Sequence, residues 1–454
     1  MLHLFDTAVG RVVPFEPREP GRVSMYVCGP TVYGPPHLGH GRFSLVFDVL
    51  RRYLLWSGLE VDYVSNITDI DDKIINRAND EGRDWSEIAT RCESVWWRAM
   101  DAIGVMRPTS DPHATAYVDE MVILIAELID RGVAYVSADG VYFSPAVVDD
   151  YGLLARQTID SMQAGARVEV AEHKRSPIDF ALWKFVKPGE PSWPSPWGDG
   201  RPGWHTECVV MSLDLLGDGF DLHGGGQDLA FPHHENERAQ AVAAGRTFAR
   251  HWMHNGFVEV GGEKMAKSLG NFTNLLDLVE STDPRAYRLL VLRAHYRSPV
   301  EVTRASTDDA AAALRRLDAF ARRVASADLA ISPAVADPDA IAEFARVMDD
   351  DLDTPAAIAQ LFSLVTEVNT ALDAADTARA TAAAAAAFEI CRAVGLVLDA
   401  GGSEIPAEVL ARAQQRDQAR AARDFATADA IRDALVAEGW VVEDTAAGTQ
   451  VRPA

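Results

Sequence analysis

Ser24-Met25-Tyr26-Val27-Cys28-Gly29-Pro30-Thr31-Val32-Tyr33-Gly34-Pro35-Pro36-His37-Leu38-Gly39-His40 decides the fold. An apolar run ends at Cys28 and gives way to a turn rich in glycine and proline, which is how a buried strand passes into a loop. Beyond it, residues 43–57 read as an amphipathic helix ending at Gly58, and residues 60–66 read as a second strand. Strand, helix and strand form a βαβ unit, so the sheet is parallel and its ligand site lies beyond the C-terminal ends of the strands. The pattern predicts a helix beginning near Gly41. His37 and His40 then stand three apart in the turn before it, placed to donate hydrogen bonds to an anion with the helix dipole behind them.

Cys28 ends the first strand, and three later residues read with it as one metal site: Cys208, His233 and Glu237. His233 and Glu237 are four apart, so on a helix they share a face. Zinc takes thiolate, imidazole and carboxylate together in a tetrahedral set, and a site open to solvent accepts a further ligand. The spacing equally allows a closed zinc staple, or two buried cysteines beside a histidine-rich turn.

Composition narrows the function classes. The 454 residues suffice for about three domains. With 48% hydrophobic and 24% charged residues the chain has the make-up of a soluble globular protein. No stretch has the ~20 apolar residues of a membrane span, so no membrane partner is expected. The start, Met1-Leu2-His3-Leu4-Phe5-Asp6, has neither the basic nor the apolar region of a secretory signal. Cys28, Cys92, Cys208 and Cys391 are scattered rather than arranged as a disulfide framework, which fits a reducing, cytoplasmic setting. The net charge of −24 repels polyanions at long range, so a nucleic-acid partner must be gripped by local basic patches.

Further along, residues 84–100 and 116–131 read as helices, and 133–136 and 141–143 as strands. Residues 187–204, rich in proline, glycine and tryptophan, read as a long surface loop. After Pro284 the pattern is helical, including the alanine run 382–387, which reads as bundle rather than disorder. Gly401-Gly402-Ser403 marks a boundary before a small C-terminal unit. Gly261-Gly262 precedes Lys264-Met265-Ala266-Lys267-Ser268. Two lysines on a glycine-flanked loop suit neutralisation of charge developing on a leaving pyrophosphate, and a solvated basic turn is the plainer alternative.

Together these motifs resemble the two signatures of class I aminoacyl-tRNA synthetases, in which H-I-G-H and K-M-S-K-S flank a Rossmann-type nucleotide site. The cysteinyl-tRNA synthetase family is the closest resemblance. Matching stretches are C-G-P-T-V-Y (28–33), T-D-I-D-D-K (68–73), G-W-H-T-E-C (203–208), H-G-G-G-Q-D-L (223–229), F-P-H-H-E-N-E (231–237), D-D-D-L-D-T-P (349–355) and R-D-F-A-T-A-D-A-I-R-D (423–433). The resemblance implies an α/β protein with a Rossmann-type parallel-sheet catalytic domain interrupted by an insertion. A helical bundle and a small C-terminal α+β anticodon-binding unit come after it. The boundaries expected are 1–110 and 201–255 for the halves of the catalytic domain, and 111–200 for the insertion. The region of the lysine loop and stem contact is 256–300, the bundle 301–400 and the C-terminal unit 401–454.

The same resemblance implies one Zn2+ per chain on Cys28, Cys208, His233 and Glu237, with its open position receiving the thiolate of substrate L-cysteine. ATP with Mg2+ is the second substrate and tRNA(Cys) the third, and a monomer is implied. His37 and His40 would contact the ATP phosphates, and Lys264 and Lys267 the leaving pyrophosphate. Gly39, Gly224 and Gly225 would let backbone approach the adenylate closely. Gly29, Thr68, Trp204, His205 and Asp228 would form the cysteine pocket, with Trp204 as a wall and Asp228 facing the ammonium. Read without the resemblance, Trp204 is equally a core indole and Thr68 a helix N-cap.

Two departures matter. Ala266 stands where the family has serine, so a loop hydroxyl is missing while both lysines remain. Leu38 replaces isoleucine, conserving volume. At the C-terminus Arg412, Arg416, Arg420 and Arg423 read as a stripe on one helical face, suited to an RNA backbone, or as a solvated face. A terminal β-hairpin carries Trp440, read as a base-stacking ring or as core. Two other readings compete: a ligase joining cysteine to an amino-sugar inositol, which would lack residues 404–454, and a non-catalytic RNA-binding paralogue, supported by Ala266 alone.

Overall fold

The computed structural model describes residues 1–158, 173–260, 263–264, 274–401, 407–445 and 448–453. Ala266 and Lys267 lie outside the described residues, and of Lys264 the backbone alone is described. Two compact units divide the chain: Met1–Arg316 with Leu329–Val397, and Leu317–Asp328 with Leu398–Ala454.

The larger unit begins with an antiparallel hairpin, β1 (His3–Asp6) and β2 (Arg11–Pro14). The βαβ unit comes next as β3 (Arg22–Val27), α1 (Leu38–Trp56) and β4 (Glu60–Val64), with β3 and β4 parallel. The helix starts earlier than the expected Gly41. His37 is its N-cap, and the two imidazoles take the places a hydroxyl and a carboxylate fill in a capping box: His37 accepts from the His40 N–H and His40 from the His37 N–H. Leu38, Gly39 and His40 therefore form the first turn, so the histidines belong to the helix terminus rather than to the turn before it.

Helices α2 (Asp72–Glu81), α3 (Trp85–Ala102) and α4 (Val118–Asp130) succeed β4. An antiparallel sheet comes next, in the order β5 (Ala134–Val136), β6 (Gly140–Phe143), β7 (Phe180–Phe185), β8 (Gly200–Pro202). Strand β8 corrects the expectation of an irregular loop over 187–204. Arg201 is buried and ion-paired with Asp72 and Glu190, and Trp193 exchanges backbone hydrogen bonds with Gly200, so the end of that stretch is pulled into the sheet. Helix α5 (Trp204–Leu216), strand β9 (Leu222–Gly226), helix α6 (Glu235–Ala243) and strand β10 (His251–Asn255) complete the core of the larger unit. The main sheet is wholly parallel in the order β10-β9-β3-β4. Its middle strand β3 is buried over five of its six residues, as a strand covered on both faces must be.

Short strands β11 (Val258–Val260), β12 (Glu263–Lys264) and β13 (Val300–Glu301) flank α7 (Leu275–Ser281) and α8 (Pro284–Leu292). Four longer helices come after them: α9 (Arg304–Ser326), α10 (Pro338–Asp349), α11 (Thr354–Asp373) and α12 (Thr377–Ala393). The alanine run is packed: Ala383 to Ala387 are at most 1% exposed, because methyl side chains let α12 lie close against its neighbours. Two buried arginines tie α1 to segments more than two hundred residues later in the chain. Arg42 donates to the carbonyls of Phe257, Tyr296 and Ser298, and Arg288 pairs with Asp48 at 2.7 Å.

The smaller unit holds α13 (Ala407–Ala421), α14 (Phe425–Ala437) and the hairpin β14 (Trp440–Thr445) and β15 (Gly448–Pro453), as the sequence led one to expect. Its core is Val409, Ala413, Leu435 and Val451, with Trp440 half-buried against them.

Candidate active site

Cys28 adjoins the end of β3 and its N–H donates to the Gly224 carbonyl of β9, which fixes its thiol at the C-terminal edge of the sheet. Cys208 lies in the second turn of α5. His233 sits in the wide turn Ala230–His234 that runs into α6, and Glu237 lies in the first turn of that helix. Gln240 holds the two helices in register: it accepts from the Thr206 hydroxyl and donates to the carbonyls of His205 and Asn236. All four residues are buried.

Their donor atoms converge. Cys28 Sγ is 3.6 Å from Cys208 Sγ and 3.5 Å from Glu237 Oε1, Cys208 Sγ is 3.6 Å from His233 Nε2, and His233 Nε2 is 3.0 Å from Glu237 Oε1. Metal–ligand bonds of ~2.3 Å to sulfur and ~2.0 Å to nitrogen or oxygen require edges of roughly 3.3–3.8 Å in a tetrahedron. The cluster already has about that size. Hydrogen bonds link its members. Burial raises Cys28 well above the usual thiol range, and its donation to Cys208 raises it further. Burial alone would also raise Cys208, but hydrogen bonds from Cys28 and His233 bring it to about 6. His233 is pushed up to about 10, since Glu237 and Cys208 outweigh the cost of burying its charge. These are the protons a divalent cation displaces when thiolates and imidazole become its ligands. The residues therefore fit a metal ion.

A further set of buried side chains orients the donors. His223 Nε2 lies 2.7 Å from the second Glu237 oxygen, and His205 Nδ1 lies 2.9 Å from His233 Nδ1. Burial, then the charge of His233, pulls His205 down to about 3, so it is neutral and can accept from His233 Nδ1–H, leaving Nε2 to face the cluster. The Trp204 ring stacks on His233 at 3.8 Å, near-parallel at 10°. A second combination, Cys28 with His223, His234 and Glu237, also has its donors close together, but there His223 is already committed to Glu237.

Beside the cluster opens a cavity of about 300 Å³. Cys28, Gly29, Trp204 and Asp228 line one part of it, and His37, Gly39, His40 and Lys73 another. The His37 and His40 rings stack at 3.6 Å. Asn274, the first described residue after the lysine motif, pairs with His37, and Phe257 and Val258 before that motif line the cavity. Gly29 has to be glycine, because a Cβ there would lie 1.6 Å from the Asn66 carbonyl oxygen.

Not every expected residue stands where the motifs suggested. Gly224 and Gly225 do not line the cavity. Their missing side chains make room for Phe47 and for His234 and Leu229, and Gly226 is the glycine of that run that reaches the cavity. Thr68 lies beneath the floor, 1% exposed, with its hydroxyl donating to Glu207 at 2.8 Å. The N-cap of the next helix is Asp71, which removes the capping alternative for Thr68. The arginine stripe is broken. Arg412 pairs with Glu438, Arg416 is buried and donates to Thr449, Arg420 is exposed, and Arg423 lies past the end of α13 at φ 59°. His223, Glu207 and Tyr26 were missed as site residues. H-G-G-G and T-E-C display the first two, but their direction into the site comes only from the pairing of β9 with β3 and the seating of α5.

Residues 14–312 match the family described as tRNA synthetases class I (C) catalytic domain, and residues 343–399 match the DALR domain. The cysteine–tRNA ligase of Alkalilimnicola ehrlichii is 46% identical over 465 residues, covering 100% of each chain. That of Caldicellulosiruptor saccharolyticus is 44% identical over 463 residues, covering 99% of each. The chain belongs to the cysteine–tRNA ligase family of class I synthetases. In the solved structures the fold recurs in Mycobacterium tuberculosis methionyl-tRNA synthetase bound by methionyl-adenylate, with a TM-score of 0.63 at 14% identity, covering 90% of this chain and 96% of that one. Among the described residues no helix is long and apolar enough to cross a membrane.

Proposed function

We propose that this chain is a cytoplasmic, monomeric ligase that activates L-cysteine with ATP to cysteinyl-adenylate and pyrophosphate, then transfers cysteine to the 3′-terminal ribose of tRNA(Cys). The observation that carries this reading is the convergence of Cys28, Cys208, His233 and Glu237 at the edge of a cavity that also holds His37 and His40. One Zn2+ fits the donor set, and when bound it supplies an acceptor for the substrate thiol that a serine hydroxyl, far less acidic, satisfies poorly.

The chain's own residues do the rest by positioning. Trp204, stacked on His233, closes the side of the amino-acid subsite, and the exposed Asp228 carboxylate is a partner for the substrate ammonium. The substrate carboxylate attacks the α-phosphorus of ATP and pyrophosphate leaves, so no general base is needed. His37 and His40 lie at the N-terminus of α1, where imidazole N–H groups and the helix dipole both favour the triphosphate. Lys264 and Lys267, with Mg2+ carried by ATP, would offset charge on the departing pyrophosphate. Asn274, which comes after that segment in the chain, pairs with His37.

The test is cysteine-dependent ATP–pyrophosphate exchange and then charging of purified tRNA. Exchange and charging with cysteine, and neither with serine, are expected. Exchange with transfer to an amino sugar but not to tRNA contradicts the reading, as does absence of exchange.

A further inference from the structure

Tyr26 stands two residues before Cys28 on β3, so its side chain leaves the same face of the strand. It is fully buried in the cluster of side chains that contains Cys28 and Cys208, with its ring edge-on to His223 at 5.3 Å and tilted against Phe220 at 6.4 Å. Its hydroxyl is enclosed and has no hydrogen-bond partner of standard geometry among the described residues. An enclosed hydroxyl left unpaired is costly, so a tyrosine here where phenylalanine would fill the same space calls for a partner. The hydroxyl is within reach of Cys208, and a phenol, less acidic than a thiol, is the donor of that pair.

Resting on the metal reading above, we infer that the Tyr26 hydroxyl is the hydrogen-bond donor that tunes the metal centre through the Cys208 thiolate. Two thiolates and a carboxylate outweigh a divalent cation by one negative charge, and an incoming substrate thiolate adds a second. Buried charge of this kind requires donors. Glu237 has His223. Cys208 here receives from Cys28 and His233, but both are ligands, and their protons leave when a cation binds. Among the described residues Tyr26 then remains as a side-chain donor in reach of Cys208, since the Asn66 carbonyl oxygen, 3.8 Å from that sulfur, can only accept. Its hydrogen bond withdraws charge from that sulfur, which makes the metal a better acceptor for the substrate's own sulfur. Tyr26 touches ligand and not substrate, so it is a positioning and tuning residue.

The experiment replaces the metal with Co2+ in the full-length chain and compares wild type with Tyr26→Phe. Wild type is expected to show a sulfur-to-cobalt charge-transfer band. In the variant that band moves to lower energy, metal affinity falls about tenfold, and KM for cysteine rises more than kcat falls. A second variant carrying 3,5-difluorotyrosine at position 26, a stronger donor of nearly the same shape, moves the band to higher energy. A folded Tyr26→Phe with wild-type band and metal affinity overturns the inference, and so does a difluorotyrosine variant whose band stays in place. A wild-type chain without any such band removes the metal reading, and this inference falls with it.

Discussion

Cys208→Ser abolishes metal binding and cysteine activation together. Metal content, measured by mass spectrometry on purified protein, falls from about one ion per chain to near none, and cysteine-dependent ATP–pyrophosphate exchange drops by well over ~100-fold, beyond the loss typical of changes around a metal's ligands. The hydroxyl that replaces the thiol remains protonated at neutral pH, so it offers neither the charge nor the polarisability of the thiolate that Cys208 readily becomes. The fold survives, because the substituted atom is small and the hydrogen-bonding groups around it, Cys28 and His233, can serve an oxygen as well as a sulfur. Retained metal with normal exchange in this variant refutes the site. Discrimination gives the effect its size. An apolar pocket separates side chains that differ by one small group by only about 1–3 kcal/mol, whereas a metal–sulfur bond is made by one amino acid and hardly at all by the other. No separate editing domain is then required.

The largest expected effect on stability lies away from the cavity. Asp48→Ala destabilises the larger unit by about 3–5 kcal/mol, the typical loss when one partner of a buried ion pair is removed. Arg288 is 2% exposed, and Asp48 is its only carboxylate contact among the described residues. The remaining partners of the guanidinium are the carbonyls of Val394, Ile103 and Gly104. Asp48 also accepts from Arg52 and from the Met106 N–H, and Arg288 donates to the Val394 carbonyl, so the pair joins α1, the segment after α3, α8 and the residue after α12. Denaturant unfolding with metal content held constant reads the loss. Replacing both partners, Asp48→Ala with Arg288→Met, recovers part of it because no charge is left buried alone. A single variant within ~1 kcal/mol of wild type contradicts the clamp.

What the sequence made legible was local. Strand, turn and helix over residues 24–57 show as a change in hydrophobic period, and Cys28 at the junction is visible because strands in such sheets deliver ligands at their C-terminal ends. His233 and Glu237 are legible through their spacing of four, although His233 lies in a wide turn ahead of the helix rather than in it. Where partners are far apart in the chain, reading failed. The Arg288–Asp48 pair spans 240 residues, and nothing in either neighbourhood advertises it. Gly224 and Gly225 look from sequence like a ligand-approach loop, yet packing against Phe47 and His234 is what excludes a side chain there. Arg416 shows why helical spacing alone misleads on a small unit: β15 folds back over α13, and a residue counted as surface becomes buried beneath Thr449. Thr68 offers the alternative of a cap in the sequence because an acidic residue, Asp71, lies three residues on, but Asp71 itself is the cap, its side chain accepting from the Lys73 N–H.

X-ray absorption at the zinc edge tests the central claim most directly, because it counts sulfur neighbours. With Cys28 and Cys208 as the protein's two thiolate ligands, the resting enzyme should show two sulfurs at ~2.3 Å. Adding L-cysteine should raise the count to three, and adding L-serine should leave it at two. A count that stays at two with saturating cysteine would contradict the account, because the substrate's sulfur would then be recognised somewhere other than at the metal.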